Sequence, residues 1–260
     1  MLRHGRMFIC LLTLLHLLAT DSNQVCPPGF RLVNQTICII DMDSVNDFCS
    51  AGEKCASIVS THGQRAFLIG RNYKLTLPQP VTQNSCTWSS INDGLAQVIR
   101  GLGGYRDGDP RTPNHEIPKE SLKWLYDRPS RNSPFATFDD SGLLNETDKF
   151  TKRHCRVLCQ WSSVQPKKKH TNKFASNFPI SLPVMFTPTS QFDSCYSHVI
   201  STGLLECVYK CARKWECRSV YFNQQERVCL HMKYVDALIP RMYTTVQGSW
   251  IRFANTGIEH

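Results

Sequence analysis

The 260-residue chain contains no Cys-x-x-Cys and no His-x-x-x-His spacing, the paired ligand patterns that structural zinc sites use. It also lacks Gly-x-Ser-x-Gly, His-Glu-x-x-His and a Gly-rich Lys-Ser/Thr phosphate loop. A hydrolase elbow, a zinc protease and a nucleotide-phosphate cradle are thereby set aside. Charged residues make up only 20% and apolar ones 41%, against long disordered tracts. The one sustained apolar run, Met7 to Leu18, is too short for a bilayer, which needs about 20 residues. Trp250 to His260 lacks a lipid-anchor tail.

What the chain does have is cysteine and positive charge. There are 13 Cys, and 30 Lys plus Arg against 21 Asp plus Glu, a net charge of +9. Arg3, His4 and Arg6 precede the apolar run, and Ala19, Thr20 and Ser22 follow it. That order reads as a secretory signal peptide over 1–22. Cys10 leaves with it, and an even set of cysteines in an exported chain implies a disulfide framework. Asn34-Gln-Thr36 and Asn145-Glu-Thr147 then become candidate glycosylation sites on exposed loops.

Seven cysteines fall between Cys26 and Cys159 and five between Cys195 and Cys229. The segment 161–189 has none; it carries Pro166, Pro179, Pro183 and Pro188 and the run Lys167-Lys168-Lys169-His170. It reads as a linker whose second half, with Phe174, Phe178, Ile180, Leu182, Val184 and Phe186 alternating, lies along a sheet edge. Beyond it, Leu204, Cys207, Val208, Cys211, Ala212 and Trp215 recur at helical spacing, with Thr202 as N-cap. Strand-like runs 218–222 and 227–231 follow.

The pattern C-x3-C-x5-C-x11-C, with LLECVYKCARKW, CRSVYFN and RVCLHMK, resembles a PAN/apple domain over 190–255. The resemblance implies one helix on a small antiparallel sheet, with Cys207 paired to Cys229 and Cys211 to Cys217. No cysteine follows Cys229, so Cys195 has no partner within that part.

Residues 23–160 resemble a C-type-lectin-like domain. Cys26-Pro-Pro-Gly-Phe30 with Cys38 looks like the opening hairpin of its long form, and Arg156 to Gln160 like its last strand. Ser44 to Ala51 is expected as a helix capped by Ser44 and ending at Gly52. A second helix is expected from Trp88 to Arg100, where Trp88, Ile91, Leu95, Val98 and Ile99 share a side. The resemblance implies a Cys49–Cys159 bridge. If Cys26 also pairs with Cys38 and Cys55 with Cys155, Cys86 remains. Cys86 then either bridges to Cys195 or, with it, forms a covalent dimer. The resemblance does not extend to the family's calcium–sugar triplets, which are absent; Asp139, Asp140 and Asn145 are the weak oxygen donors on offer.

The fold class expected is therefore α+β, a disulfide-rich secreted protein with a lectin-like domain, a linker and an apple-like domain. The function expected is non-catalytic, extracellular recognition or adhesion, with a protein or sulfated glycan as partner and no cofactor. A basic face is expected from Lys167, Lys168 and Lys169 together with Lys210, Arg213, Lys214 and Arg218. An aromatic patch from Trp124, Tyr126, Phe135 and Phe138 is a second candidate surface, although core is the commoner fate of such residues. Nucleic acid is set aside, because the basic residues lack interleaved aromatics. A calcium-dependent lectin is the alternative, and a secreted hydrolase, drawing on His62, His115 or His154, a remote one.

Overall fold

The computed structural model describes residues 26–34, 36–59, 64–77, 85–95, 104–125, 133–148, 153–162 and 173–257. The expected signal peptide, Lys167 to Lys169 and Tyr126 lie outside these residues.

The hub of the first half is β9 (Cys155–Trp161), whose Val157, Leu158 and Cys159 are buried. Strand β2 (Ile37–Val45) pairs antiparallel with it, and β1 (Arg31–Val33) closes a hairpin on β2. On its other side β9 meets β4 (Cys86–Asn92) in parallel, then β3 (Ala66–Leu68) antiparallel. Strand β4 also carries β7 (Phe135–Asp139), which pairs with β8 (Leu144–Thr147). The short β5 (Tyr105–Arg106) and β6 (Glu116–Ile117) complete a nine-stranded mixed sheet.

Here the sequence expectation fails at β4. Trp88 and Ile91 are at helical spacing, yet Cys86–Asn92 is strand, and every residue after Cys86 in it is buried. A strand paired on both edges and covered on both faces shows no alternation to read. Residues 96–100 of the expected helix lie outside the described residues.

Helix α1 (Phe48–Ser57) starts later than expected. Ser44 remains in β2, and Asp47 is the N-cap, its carboxylate accepting from Ser50 N at 2.8 Å and Ser50 Oγ at 2.7 Å. The helix runs on through Gly52, where a Cβ would stand 2.5 Å from the Tyr234 ring. Glycine here serves close approach, not termination. Phe48 stacks on Phe135 with centroids 3.9 Å apart and meets Trp88 edge-on.

The second half is a regular five-stranded antiparallel sheet in the order β10-β14-β12-β13-β11. These are β10 (Phe174–Ala175), β11 (Tyr196–Ile200), β12 (Cys217–Asn223), β13 (Val228–Lys233) and β14 (Trp250–Asn255). Helix α2 (Leu204–Ala212) lies on one face, its Cys207 and Cys211 buried against Val220 and Phe222. Gly203 occupies the N-cap in place of the expected Thr202. Thr202 is engaged otherwise: its N and Oγ1 donate to Glu206 Oε2 at 2.7 and 2.6 Å. The expected edge strand of the linker is only two residues long, Phe174 and Ala175 opposite Asn255 and Ala254.

Six disulfides are present among the described residues. Cys26–Cys38, Cys207–Cys229 and Cys211–Cys217 are the local ones. The other three replace the expected Cys49–Cys159, Cys55–Cys155 and Cys86–Cys195 with Cys49–Cys195, Cys55–Cys159 and Cys86–Cys155. Two pieces of geometry explain the exchange. Parallel pairing sets Thr87 opposite Arg156 and Trp88 opposite Val157, which brings Cys86 to Cys155. On α1, Cys49 and Cys55 are six residues apart, about 240° around a helix of 3.6 residues per turn. Cys55 therefore faces β9, while Cys49 faces the second half.

The halves share a core. Cys195 and Val235 are buried in the same cluster as Phe48, Trp88 and Val157, and Tyr234 packs against it. At Gly94 a Cβ would lie 2.7 Å from the Asp236 carbonyl. No helix of the described residues is long and apolar enough to cross a membrane.

Candidate functional site

The outer face of α2 is the most distinctive exposed surface. Cys207 and Cys211 turn one side of the helix inward, so the row Leu205, Tyr209, Arg213 points away from the sheet. Leu205 is 85% exposed and Tyr209 60%. The Arg213 guanidinium lies over the Tyr209 ring, 5.7 Å from its centroid. Nearby, Lys210 Nζ is 2.7 Å from Glu206 Oε1 and donates to the Ile200 carbonyl at 2.7 Å. Ile200 itself is 89% exposed. Lys210 first, then Thr202, hold the Glu206 carboxyl down at about 2.

The expected basic face is therefore redistributed. Arg213 is exposed and Lys214 half-buried after the helix, while Lys210 is neutralised locally by Glu206. Arg218 does not belong to the surface at all: it is 7% exposed. Its Nε donates to the Tyr234 carbonyl at 3.1 Å and its Nη1 to the Trp215 carbonyl at 2.8 Å. Desolvation lowers its guanidinium to about 10, against the pull of Asp109, Glu216 and Asp236. Arg218 sits at the seam because β12 runs past the first half there. Charge at a helix end reads as surface in a sequence, and only the packing of the two halves buries it. Leu205 and Tyr209 were legible in principle, four apart and opposite the cysteines.

The seam holds a buried charge cluster. Arg71 Nε lies 3.4 Å from Asp107, and Arg71 Nη2 and Arg111 Nη2 lie 3.2 and 2.7 Å from Asp109. Burial pushes the Asp107 carboxyl up, and Asp109 beside it adds to the effect. The two crevices there have volumes of about 20 and 10 Å3, room for a single water at most. A larger open cavity, about 320 Å3, lies beside the Cys49–Cys195 bond.

Other candidates can be placed among the described residues; His62 lies outside them. Asp139 Oδ1 accepts from Ser141 N, Ser141 Oγ and Leu143 N at 3.0, 2.6 and 2.8 Å, closing the β7–β8 turn. Asp140 is buried, and Asn145 is half-buried in β8 opposite Thr137. A sugar on Asn145 would have to leave from a paired strand, against the expected loop. Asn34, exposed at φ 49° between β1 and β2, has the loop setting. Phe135 and Phe138 are core, and Trp124 packs on Tyr105, so these three described members of the expected aromatic patch do not form a surface together. Sγ of Cys207 and Cys229 and a His231 ring nitrogen lie within 4.8 Å of one another, but the sulfurs are bonded to each other. His154 Nδ1 lies 3.1 Å from Asn46 Oδ1.

No family model and no curated relative matches the chain. Among solved structures it is similar to the C-type lectin CEL-I from Cucumaria echinata, at 14% identity. That match covers 53% of this chain and 97% of the lectin, with a TM-score of 0.37. The human scavenger receptor C-type lectin carbohydrate-recognition domain is matched at 15% identity over 52% of this chain and 98% of that one, with a TM-score of 0.35. Human lithostathine is matched at 10% identity over 55% and 94%, with a TM-score of 0.36.

Proposed function

We infer that the protein is an extracellular recognition protein, a lectin-like half joined to an apple-like half, that binds a protein or an anionic glycan without catalysis. The observation that carries this reading is the outer face of α2, where Leu205, Tyr209 and Arg213 stand exposed in one row on a helix locked to its sheet by two disulfides. Exposed aromatic and arginine side chains on a rigid element are the usual anchors of interfaces. The apple-like reading of the second half is supported by that single helix and its two bridges into an antiparallel sheet. Export is supported by the basic-apolar-small order at the N-terminus and by the paired cysteines, and glycosylation by the exposed setting of Asn34. The α2 face draws an anionic ligand through Arg213 and Lys214, and a protein ligand additionally through Leu205 and Tyr209.

Heparin chromatography of the secreted protein tests the anionic arm. Retention is expected to be salt-sensitive, indifferent to calcium chelation, and weakened in Arg213→Glu/Lys214→Glu. Unchanged elution of that variant would remove α2 from the binding surface. Retention that requires calcium would favour a calcium-dependent lectin instead.

A further inference from the structure

Of the six disulfides among the described residues, five lie within one half, and Cys49–Cys195 alone crosses the seam. Its surroundings are chemically unusual as well. Both cysteines border an open cavity of about 320 Å3, together with Asp47, Glu53, Lys233 and Tyr234. Cys49 is half-buried, so a sulfur nucleophile entering the cavity reaches it, and access governs disulfide attack. Cys49 is the second residue of α1, a ten-residue helix, and the positive end of a helix draws an incoming thiolate toward it. On the other side, Lys233 borders the cavity and its backbone N–H donates to the Cys195 carbonyl at 2.8 Å. Cys195 is buried, so attack falls on Cys49 and the thiolate leaves on Cys195, in a cavity wall that also carries Lys233.

We propose that Cys49–Cys195 is a thiol-exchange site, opened by a dithiol reductant ahead of the other five bridges. The reductant's thiolate attacks Cys49 Sγ and forms a mixed disulfide. The Cys49–Cys195 bond breaks, its electron pair leaves on Cys195 Sγ, and that thiolate takes a proton from water. The reductant's second thiolate then attacks its own sulfur in the mixed disulfide and frees Cys49, which is protonated in turn. Two protein thiols are gained and the dithiol becomes a disulfide. The halves keep their packing through Tyr234, Val235 and Gly52 but lose their covalent tie.

Timed exposure of the intact protein to dithiothreitol tests the assignment. The reaction is quenched with iodoacetamide, and each cysteine is then followed by peptide mass spectrometry. Cys49 and Cys195 are expected to become alkylated together at least ~10-fold faster than any other cysteine, while tryptophan fluorescence stays native. Cys26 and Cys86 are also half-buried; opening of Cys26–Cys38 or Cys86–Cys155 first, or of all bridges together on unfolding, overturns the proposal. Lys233→Met is expected to slow opening about threefold at an unchanged melting temperature. An unchanged opening rate in that variant overturns the role of Cys195 as leaving group. Neither failure touches the recognition reading, whose test uses the oxidised protein.

Discussion

The two halves solve one problem by opposite means. In the second, the bridges span 22 and 6 residues and every strand neighbour is antiparallel. In the first, two bridges span 104 and 69 residues, and the sheet depends on a parallel contact between β4 and β9. Local closure orders a small core cheaply, whereas long-range closure removes more freedom from the unfolded chain. The first half thus leans on its disulfides more heavily than the second.

The sharpest way to break that contrast is to delete one bridge from each half. Replacing Cys55 and Cys159 by Ala is expected to cost about 4 kcal/mol, and replacing Cys211 and Cys217 about 2 kcal/mol, by the loop-entropy account. The first figure uses an effective loop of about 35 residues, because Cys86–Cys155 shortcuts the full span. Urea unfolding of the two variants checks the order, and equal losses would remove the argument from loop length.

The seam comes next. Gly52→Ala drives a methyl into the Tyr234 ring and is expected to cost about 1–3 kcal/mol. Adding Tyr234→Ala should recover part of the loss, so a double-mutant cycle that proves additive would deny the contact its role.

A pH titration separates the halves differently. His231, fully buried in the second half, is lowered to about 4 by desolvation, with its Nε2 3.0 Å from the Cys207 carbonyl. Unfolded, it titrates near 6.5. Between those values the unfolded chain binds a proton that the folded chain does not. Stability from this group is therefore complete above about 6.5 and falls as pH drops toward about 4, by at most about 1.4 kcal/mol per pH unit. His231→Gln should flatten that part of the melting-temperature profile; an unaltered slope would assign it elsewhere.

The smallest effect expected is at the cap of α1. Asp47→Ala should cost about 1 kcal/mol, while Ser44→Ala, in β2, should cost less. The reverse order in thermal unfolding would restore Ser44 as the cap.

The contrast also explains what was legible in the sequence. In the second half the signals were local: Leu204, Cys207, Val208 and Cys211 share one side of a two-turn helix, and the next two strands follow directly. In the first half the signals were overridden by tertiary contacts. Trp88 and Ile91 lie in a strand covered on both faces, and Gly52, inside the helix, makes room for the Tyr234 ring from the other half. Cysteine order could not reveal the partners, since they depend on β4 lying beside β9 and on which side of α1 each sulfur leaves. The α2 face is half legible: its charges mark it in the sequence, whereas Leu205 and Tyr209 read there as ordinary apolar residues of a helix. Arg218 reads as surface charge in the sequence, and only the seam between the halves buries it.

The position of the Cys49–Cys195 bond has a consequence for proteolysis. A peptide bond hydrolysed anywhere from Cys159 to Cys195 leaves one fragment holding Cys49 and the other holding Cys195. The nicked protein then remains a single two-chain molecule, and its fragments separate on a gel only after reduction.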